Sequence, residues 1–500
     1  MVRAKEHHEL YEELRSVVGA RYVTDDLAVL LSYTRDLSSF PAEKPQGVVV
    51  RPGSVEEVVE LVRLANQTRT PLIPIGGKSS YAGVPPGQPG RGIVVDMRRM
   101  NKVIDIDESN KAVTVQCGIT LGEMKTKLNE RGWDVPTAFM PHYADTVGGQ
   151  LSGYVGGGWP LYGPSVGFNG MHYLLGLKVV LPNGKVIDTG TGEGSVSTYR
   201  GHSWARNMHG PDFGGIFLTD GGIFGLKVEA TYRMYRPPKF QKTGVRYWYD
   251  LDEAFEALYE LWEIDPYLYM QPYARFNFTS SEMLRHWPVD TGLIDPAKPW
   301  VPWFLYWLNV GNSEEEIELK CKTIDAVCDK HGGKVPEPAV TSLVETFYSQ
   351  EWLWEVGKWA SVGLFSLFEL VVSRRDILEA VKWSNEFMDD VVRKMRERGI
   401  DTSKIPIVGS AMPAAPEGVG IIARGVCFDQ NDKEAHEAIH ESLLEFLEQA
   451  GRRGYIFDAT HGVGSKIRAK FWTPEYYDFA LTLKEILDPN NIMNPGVYFP

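Results

Sequence analysis

Apolar and polar positions along the chain fall into two textures. Residues 5–18 carry apolar side chains at helical spacing and predict an amphipathic opening helix. Val48–Val50 reads as a buried strand closed by Arg51-Pro52-Gly53, and Ser54 with Glu57 forms a capping box for a helix over 55–66, whose Val55, Val58, Val59, Val62 and Leu64 lie near one face. A short strand, Leu72–Ile75, runs into a glycine-rich loop over 76–83. Further strands are predicted at Ile93–Asp96, 103–106 and Ala112–Gln116, and Thr120 with Glu123 caps another helix reaching about 130. Strands and helices therefore alternate over the first 135 residues, mostly with short connections.

A second glycine-rich stretch fills 147–170. Residues 176–187 predict a strand pair around Pro182-Asn183-Gly184, and 221–235 a glycine-rich turn entering a strand that stops at Arg236-Pro237-Pro238, a candidate domain boundary. Beyond it glycine thins out. Acidic helices are predicted near 251–263, 313–330, 376–398 and 432–450, with aromatic strand-like segments at 267–278 and 300–310 between them. That alternation suits an α+β domain with one sheet covered by helices. The tail from Pro474 reads as a helix ended by Asp488-Pro489.

Composition narrows the function classes. Among 500 residues, 43% are hydrophobic and 23% charged, with a net charge of −13. An acidic globular chain is a poor phosphate-backbone binder, so no nucleic-acid partner is expected. No run of about 18 apolar residues occurs and the first residues hold no apolar signal core, so neither a membrane span nor export is expected. Four cysteines without a CxxC spacing suit a reduced, cytoplasmic protein.

Three motifs carry candidate chemistry. Gly77-Lys78-Ser79 resembles the end of a P-loop, but Leu72 stands where the first glycine belongs and Gly83-Val84-Pro85-Pro86 follows in place of a helix. His436-Glu437-Ala438-Ile439-His440 is a literal HExxH, which would make a zinc hydrolase; Phe446 occupies the position of a third histidine, and the same segment reads equally as a solvated helix with a core stripe of Ile439, Leu443, Phe446 and Leu447. No metal site is expected. The third candidate is the pair of loops beginning at Pro74 and Asp145. Successive backbone N–H groups in glycine-rich turns bind anions, and glycine allows the backbone to approach a pyrophosphate closely.

The ordered segments PIGGKSSYAG, VVDMRRMNKVIDID, CGITLGEM, DTVGG, LYG, GLKVVLPNGKVIDTG, DGGIFGLKVEAT, ATHGVG and LKEILDPNNIMNPG resemble the vanillyl-alcohol oxidase/p-cresol methylhydroxylase flavoproteins. The resemblance implies an α+β fold: an FAD-binding domain of two α+β subdomains (1–236, completed by 455–500) and an α+β cap with an antiparallel sheet (237–454). Pro74, Gly76, Gly77, Lys78, Ser79, Ser80 and Gly83 with Thr146, Val147, Gly148 and Gly149 would hold the pyrophosphate; Pro141, Gly156, Gly163, Gly222, Gly225, Val228 and Asn494 would line the rest of the cofactor. Where berberine-bridge-type relatives carry a flavin-linked histidine this chain has Lys78, and no cysteine lies in 136–149, so non-covalent FAD is expected. Lys78 would either pair with the cofactor's charge or be solvated.

The same resemblance implies hydride transfer from an alcohol or benzylic carbon to flavin N5. Tyr81 falls where phenol-oxidising members bind the phenolate, but the partnering Tyr-Arg pair is replaced by Asp458-Ala459. His461-Gly462-Val463-Gly464 resembles the His-Gly-x-Gly of 2-hydroxy-acid dehydrogenases, where the histidine removes the hydroxyl proton. His461, Tyr81, Tyr162 and Arg275 are the catalytic candidates, and Arg275, Arg424 and Lys466 the candidate partners of a substrate anion. An aromatic-rich cap suits an aromatic or hydrophobic substrate. A 2-hydroxy-acid (glycolate- or D-lactate-type) dehydrogenase is the alternative, and a purely electron-transferring flavin subunit a further one. Oxygen, a quinone, a cytochrome or an iron–sulfur partner would all serve as acceptor, and analogy suggests a homodimer or higher oligomer.

Overall fold

The computed structural model describes residues 2–36, 44–79, 89–135, 144–153, 173–193, 195, 201–206, 210–264, 303–338, 341–342, 364–405, 407–412, 419–429, 431–457 and 462–499. The first sheet contains β1 (Val23–Thr24), β2 (Val48–Val50), β3 (Leu72–Ile75) and β4 (Ile93–Asp96) in the order β1-β2-β4-β3, with β2, β4 and β3 parallel. A parallel sheet is covered on both faces, which is why its strands read as continuous apolar runs. Val48, Val50, Leu72, Ile93 and Val95 pack with helices α1 (Val2–Val18) and α3 (Val55–Thr68); Val49, Ile73, Ile75 and Val94 pack with Leu30 and Tyr33, which lie in and just after α2 (Leu27–Ser32). The Ser54 cap of α3 forms as expected, but the returning bond from Glu57 goes to Gly53 N (2.8 Å), one residue early, because Arg99 also draws the carboxylate (3.0 Å).

The second sheet is antiparallel: β5 (Val103–Asp107), β6 (Ala112–Gln116), β7 (Leu174–Val180), β8 (Val186–Asp188) and β9 (Leu226–Arg233), ordered β5-β6-β9-β7-β8. Alternation places Val113, Val115, Leu177, Val179, Ala230 and Tyr232 on one apolar face. Helix α4 (Leu121–Asn129), held by a complete Thr120–Glu123 capping box, packs there. Helix α5 (Val147–Gly153) follows the second glycine loop.

Past Pro237-Pro238 the strands β10 (Phe240–Trp248) and β11 (Trp303–Gly311) pair antiparallel, and β12 (Leu364–Ser373), β13 (Ile407–Met412) and β14 (Val419–Phe428) form a separate antiparallel ladder ordered β12-β14-β13. Among the described residues these are two ladders, where the sequence pattern suggested one sheet. Helices α6 (Leu251–Ile264), α7 (Glu314–Lys330), α8 (Ile377–Glu397) and α9 (Lys433–Arg452) flank them. Residues from both ladders and all four helices share a single core, in which Trp248, Trp307, Phe368, Phe428 and Phe446 are buried and Trp383 stacks on Phe446 with ring centroids 5.1 Å apart. These aromatics are core rather than pocket lining. The segment 267–278 lies outside the described residues.

The chain then returns. Helix α10 (Gly462–Ala469) leads to α11 (Pro474–Leu487), and the residues after it add to the first sheet: Leu72 N donates to Ile492 O (2.7 Å) and Asn494 N donates to Leu72 O (2.9 Å). Lys484 and Asp488 form a buried ion pair. Lys484 Nζ also reaches the carbonyls of Ile223 (3.1 Å) and Met493 (2.8 Å), and Asp488 accepts from the N–H groups of Ile492 and Met493. Burial depresses the Lys484 ammonium, and Asp488 opposes that shift.

Candidate functional site

Strand β3 ends opposite the buried Asp96, and the four residues after it form the first glycine loop. The second loop packs directly against it. A Cβ on Gly77 would overlap the Ala144 carbonyl oxygen and lie 2.6 Å from its carbon; one on Gly76 would overlap Thr146 Oγ1. Only glycine permits that approach. Ser79 Oγ donates to Asp145 Oδ1, a second link between the loops. Lys78 has φ +60, the left-handed turn that points consecutive N–H groups to one side. No hydrogen bond among the described residues uses the N–H of Gly77 or Lys78. In the second loop, by contrast, Val147 N donates to Ile119 O (2.9 Å), Gly148 N to Cys117 O (2.7 Å) and Gly149 N to Thr146 Oγ1 (3.2 Å). The first loop therefore has two backbone donors without a partner among the described residues. The second is already anchored and contributes shape: Gly149 is exposed, with Thr146 Oγ1 as the one atom near its missing Cβ.

A third turn joins this site. Gly222 has φ +75, and a Cβ there would lie 2.8 Å from Pro74 Cγ. Asp220 beneath it accepts from Lys227 Nζ (2.7 Å) and Gly222 N (3.0 Å), and Lys227 also reaches Ser152 Oγ on α5 (2.8 Å). Asn494 Nδ2 donates to Gly221 O (2.6 Å). Asn494 Oδ1 and Asp220 Oδ2 are buried without a hydrogen-bond partner. A glycine cradle whose donors and bordering polar atoms lack partners among the described residues fits a diphosphate-bearing dinucleotide such as FAD. Burial raises the Asp220 carboxyl against the opposing pull of Lys227, and burial lifts Asp145 to about 6.

The partly exposed Lys78 ammonium donates to Ser32 O (2.7 Å) and lies over the Tyr33 ring, 4.8 Å from the centroid. Burial and the nearby Arg98 lower its pKa. Tyr33 in turn donates to Asp96 (2.8 Å), which Arg98 also holds (2.7 Å). Lys78 thus ties α2 to the loop by its side chain.

Pro74, Gly76, Gly77, Ser79, Thr146, Gly149, Gly222 and Asn494 are brought together. Gly225 packs on Val179 and Val180, and Val228 is in the first-sheet core with its carbonyl taken by Cys117 N (2.9 Å). Ser80, Gly83, Pro141, Gly156 and Gly163 lie outside the described residues, as do His461, Tyr81, Tyr162 and Arg275. Arg424, a candidate anion partner, faces the helix layer instead, donating to Ser384 Oγ (3.0 Å) and Asn385 Oδ1 (2.8 Å) on α8; Lys466 is exposed on α10. The HExxH segment is packing: His436 stacks on Phe428 at 5.7 Å and meets His440 edge-on, and no cluster of three metal-ligating side chains exists among the described residues. Sequence reading placed Asp145 at the head of the second loop without giving its side chain a role, and it missed Asp220 and Lys227. Asp220 lies two residues before the recognised Gly222; Lys227, inside a strand, carried no local signal.

Residues 46–190 match the FAD binding domain family, and residues 295–498 match the family of FAD linked oxidases, C-terminal domain. The glycolate oxidase subunit GlcD of Bacillus subtilis (strain 168) is 25% identical over 98% of this chain and 97% of its own. The 4-cresol dehydrogenase (hydroxylating) flavoprotein subunit of Pseudomonas putida is 24% identical over 98% of this chain and 95% of its own. A crystal structure of p-cresol methylhydroxylase with substrate bound superposes with a TM-score of 0.76 at 19% identity, covering 99% of this chain and 97% of that one. Among the described residues no helix is long and apolar enough to cross a membrane. Both halves of the chain carry the same signature and the fold is that of p-cresol methylhydroxylase: the chain belongs to the FAD-linked oxidases and is an FAD-binding oxidoreductase.

Proposed function

We propose that the protein oxidises an alcohol or benzylic carbon of an aromatic or otherwise hydrophobic substrate, with residues 1–236 and 455–500 holding FAD and 237–454 forming the substrate cap. The observation that carries this reading is the closure of Gly76-Gly77-Lys78 on Ala144-Asp145-Thr146, which builds a diphosphate cradle inside a chain similar along its whole length to a cresol dehydrogenase subunit. Bound FAD supplies the hydride acceptor. The chain's own part is to position the substrate carbon and to take the hydroxyl proton. His461 is the proposed base, since an imidazole titrates in the working range and this one lies next to α10 in a His-Gly-x-Gly segment. Tyr81 is the alternative proton handler, with Tyr162 and Arg275 as further pocket residues. FAD is held without a covalent bond.

The likeness to a glycolate oxidase subunit supports a second reading, a 2-hydroxy acid as substrate. It needs a cation for the carboxylate, and the inward course of Arg424 leaves Arg275 and Lys466 for that role. Anaerobic flavin bleaching with benzylic alcohols, alkylphenols and 2-hydroxy acids separates the readings. His461→Ala is expected to slow reduction by about 10²–10⁴, the scale of general-base loss, with FAD content unchanged. A larger loss in Tyr81→Phe than in His461→Ala would transfer the proton to Tyr81. Near wild-type reduction in both would remove both residues from the mechanism.

A further inference from the structure

Strand alternation gives the second sheet a polar face behind its apolar one. Thr114, Lys178, Glu229 and Thr231 alternate with the apolar residues that meet α4, so they point the other way. The chain after β8 folds back over them. A Cβ on Gly176 would overlap Ser203 Oγ and lie 2.6 Å from the Thr189 carbonyl oxygen; Ser203 Oγ donates to that oxygen (3.1 Å) and accepts from Gly192 N (3.0 Å). Between this cover and the strands lies a cavity of about 360 Å³, and none of the cradle residues lines it. Small-molecule sites occupy roughly 300–1,000 Å³.

The lining is unbalanced in charge. Asp188, Glu193 and Glu229 supply carboxylates and His202 an imidazole, against one ammonium, Lys178, which Glu229 already holds at 2.6 Å. Asp188 and Glu193 have no ion pair among the described residues. Burial raises the Asp188 carboxyl to about 6; Lys178 opposes the shift, and Glu229 and Glu193 add to it. The carboxylates do not converge on a point: among the described residues no three metal-ligating side chains meet, so a bare metal ion does not match them. The hydroxyls are unbalanced too. Thr114 and Thr231 share one hydrogen bond (2.9 Å), and Thr189 Oγ1 accepts from Leu177 N (2.9 Å). Each hydroxyl carries one hydrogen. One hydrogen of the Thr114–Thr231 pair, and that of Thr189, therefore have no acceptor among the described residues, in side chains only 2%, 5% and 7% exposed. Buried polar groups are normally hydrogen-bonded.

We infer that this cavity binds a small ammonium-bearing polyol, its cation against Asp188 and Glu193 and its oxygens accepting from the threonine hydroxyls. At about 30 Å³ for each water-sized group there is room for about a dozen non-hydrogen atoms, the size of one amino sugar. The site is separate from that of the oxidised substrate.

Calorimetric titration of the FAD-loaded full-length protein with glucosamine at pH 7 tests this. Glucosamine is expected to saturate one site per chain, with glucose, which lacks the ammonium, weaker by about 10-fold or more, and with equimolar potassium chloride not displacing it. Asp188→Asn is expected to weaken glucosamine about 10–10²-fold, the scale of one hydrogen bond to a charged group. Glu475→Gln, at the exposed start of α11, removes the same charge elsewhere and is expected to change nothing. Flavin absorbance and melting temperature report folding, and Glu193→Gln, on the exposed cover, repeats the test if Asp188→Asn does not fold. No saturable binding of glucosamine, equal binding of glucose, displacement by potassium, or an equal effect of the cavity variants and Glu475→Gln each overturns the proposal.

Discussion

Gly77→Ala is the sharpest probe of the cradle. The added methyl carbon would lie 2.6 Å from the Ala144 carbonyl carbon and overlap its oxygen. Non-bonded carbons rest at about 3.5–4.0 Å, so the two loops must part by roughly 1 Å. A donor–acceptor distance of about 2.9 Å lengthened by that amount is no longer a hydrogen bond. If the Gly77 and Lys78 N–H groups both donate to the diphosphate, two charge-assisted bonds are lost, each contributing about 1.5–3 kcal/mol. At about 1.4 kcal/mol per decade the FAD dissociation constant should rise about 10²–10⁴-fold. Titration of apoprotein with FAD, followed by flavin fluorescence, measures it directly. Gly399→Ala is the control for a generic loss of stability: that residue has φ +80 and no described atom within 4 Å of its missing Cβ, so it bears backbone strain without a clash, whereas Gly77 lies outside the left-handed region and bears the clash alone. An unchanged FAD affinity in Gly77→Ala, or an equal loss in Gly399→Ala, would refute the loop assignment.

Acid or heat precipitation should release all flavin to the supernatant, measured by its absorbance; flavin retained on the polypeptide would reveal a covalent tether. Lys484→Met leaves Asp488 buried without its cation, so urea unfolding should show a loss of about 3–5 kcal/mol together with weaker FAD retention, because Lys484 also holds the Ile223 carbonyl beside Gly222. Asp145, lifted by burial to about 6, lies above its unfolded value of about 3.9. The folded chain binds more protons than the unfolded one between those values, so its stability falls as pH rises through that window and levels off above it. Asp145→Asn removes this slope: melting of the apoprotein should show the variant more stable near neutrality, with the gap closing towards pH 4.

The strands and helices of the first half were legible because each carries a local signal. Ser54 and Thr120 cap their helices, Val48–Val50 and 93–95 are apolar throughout because both faces are covered, and glycine marks each turn with a close approach. The site was legible as two loops, but not as a division of labour. That Val147 and Gly148 spend their N–H groups on Ile119 and Cys117 depends on residues about thirty positions away. Lys78 looked like a phosphate ligand, yet its destination is set by Ser32, 46 residues earlier. Arg424 reads the same whether it faces a substrate or a helix; only the register of β14 against β12 settles it, pairing Arg424 with the core residue Phe368.

Strand β3 has β4 on one side and residues 492–494 on the other. During synthesis the strand that leads into the first glycine loop emerges about 420 residues before the segment that completes its free side. Until then Leu72 presents an open strand edge, a template for unwanted pairing. Closure of the strand on both sides therefore waits for that later segment, and a nonsense codon between Gly222 and Asp488 would yield a protein with every glycine of the three turns and no segment to pair with the free side of β3.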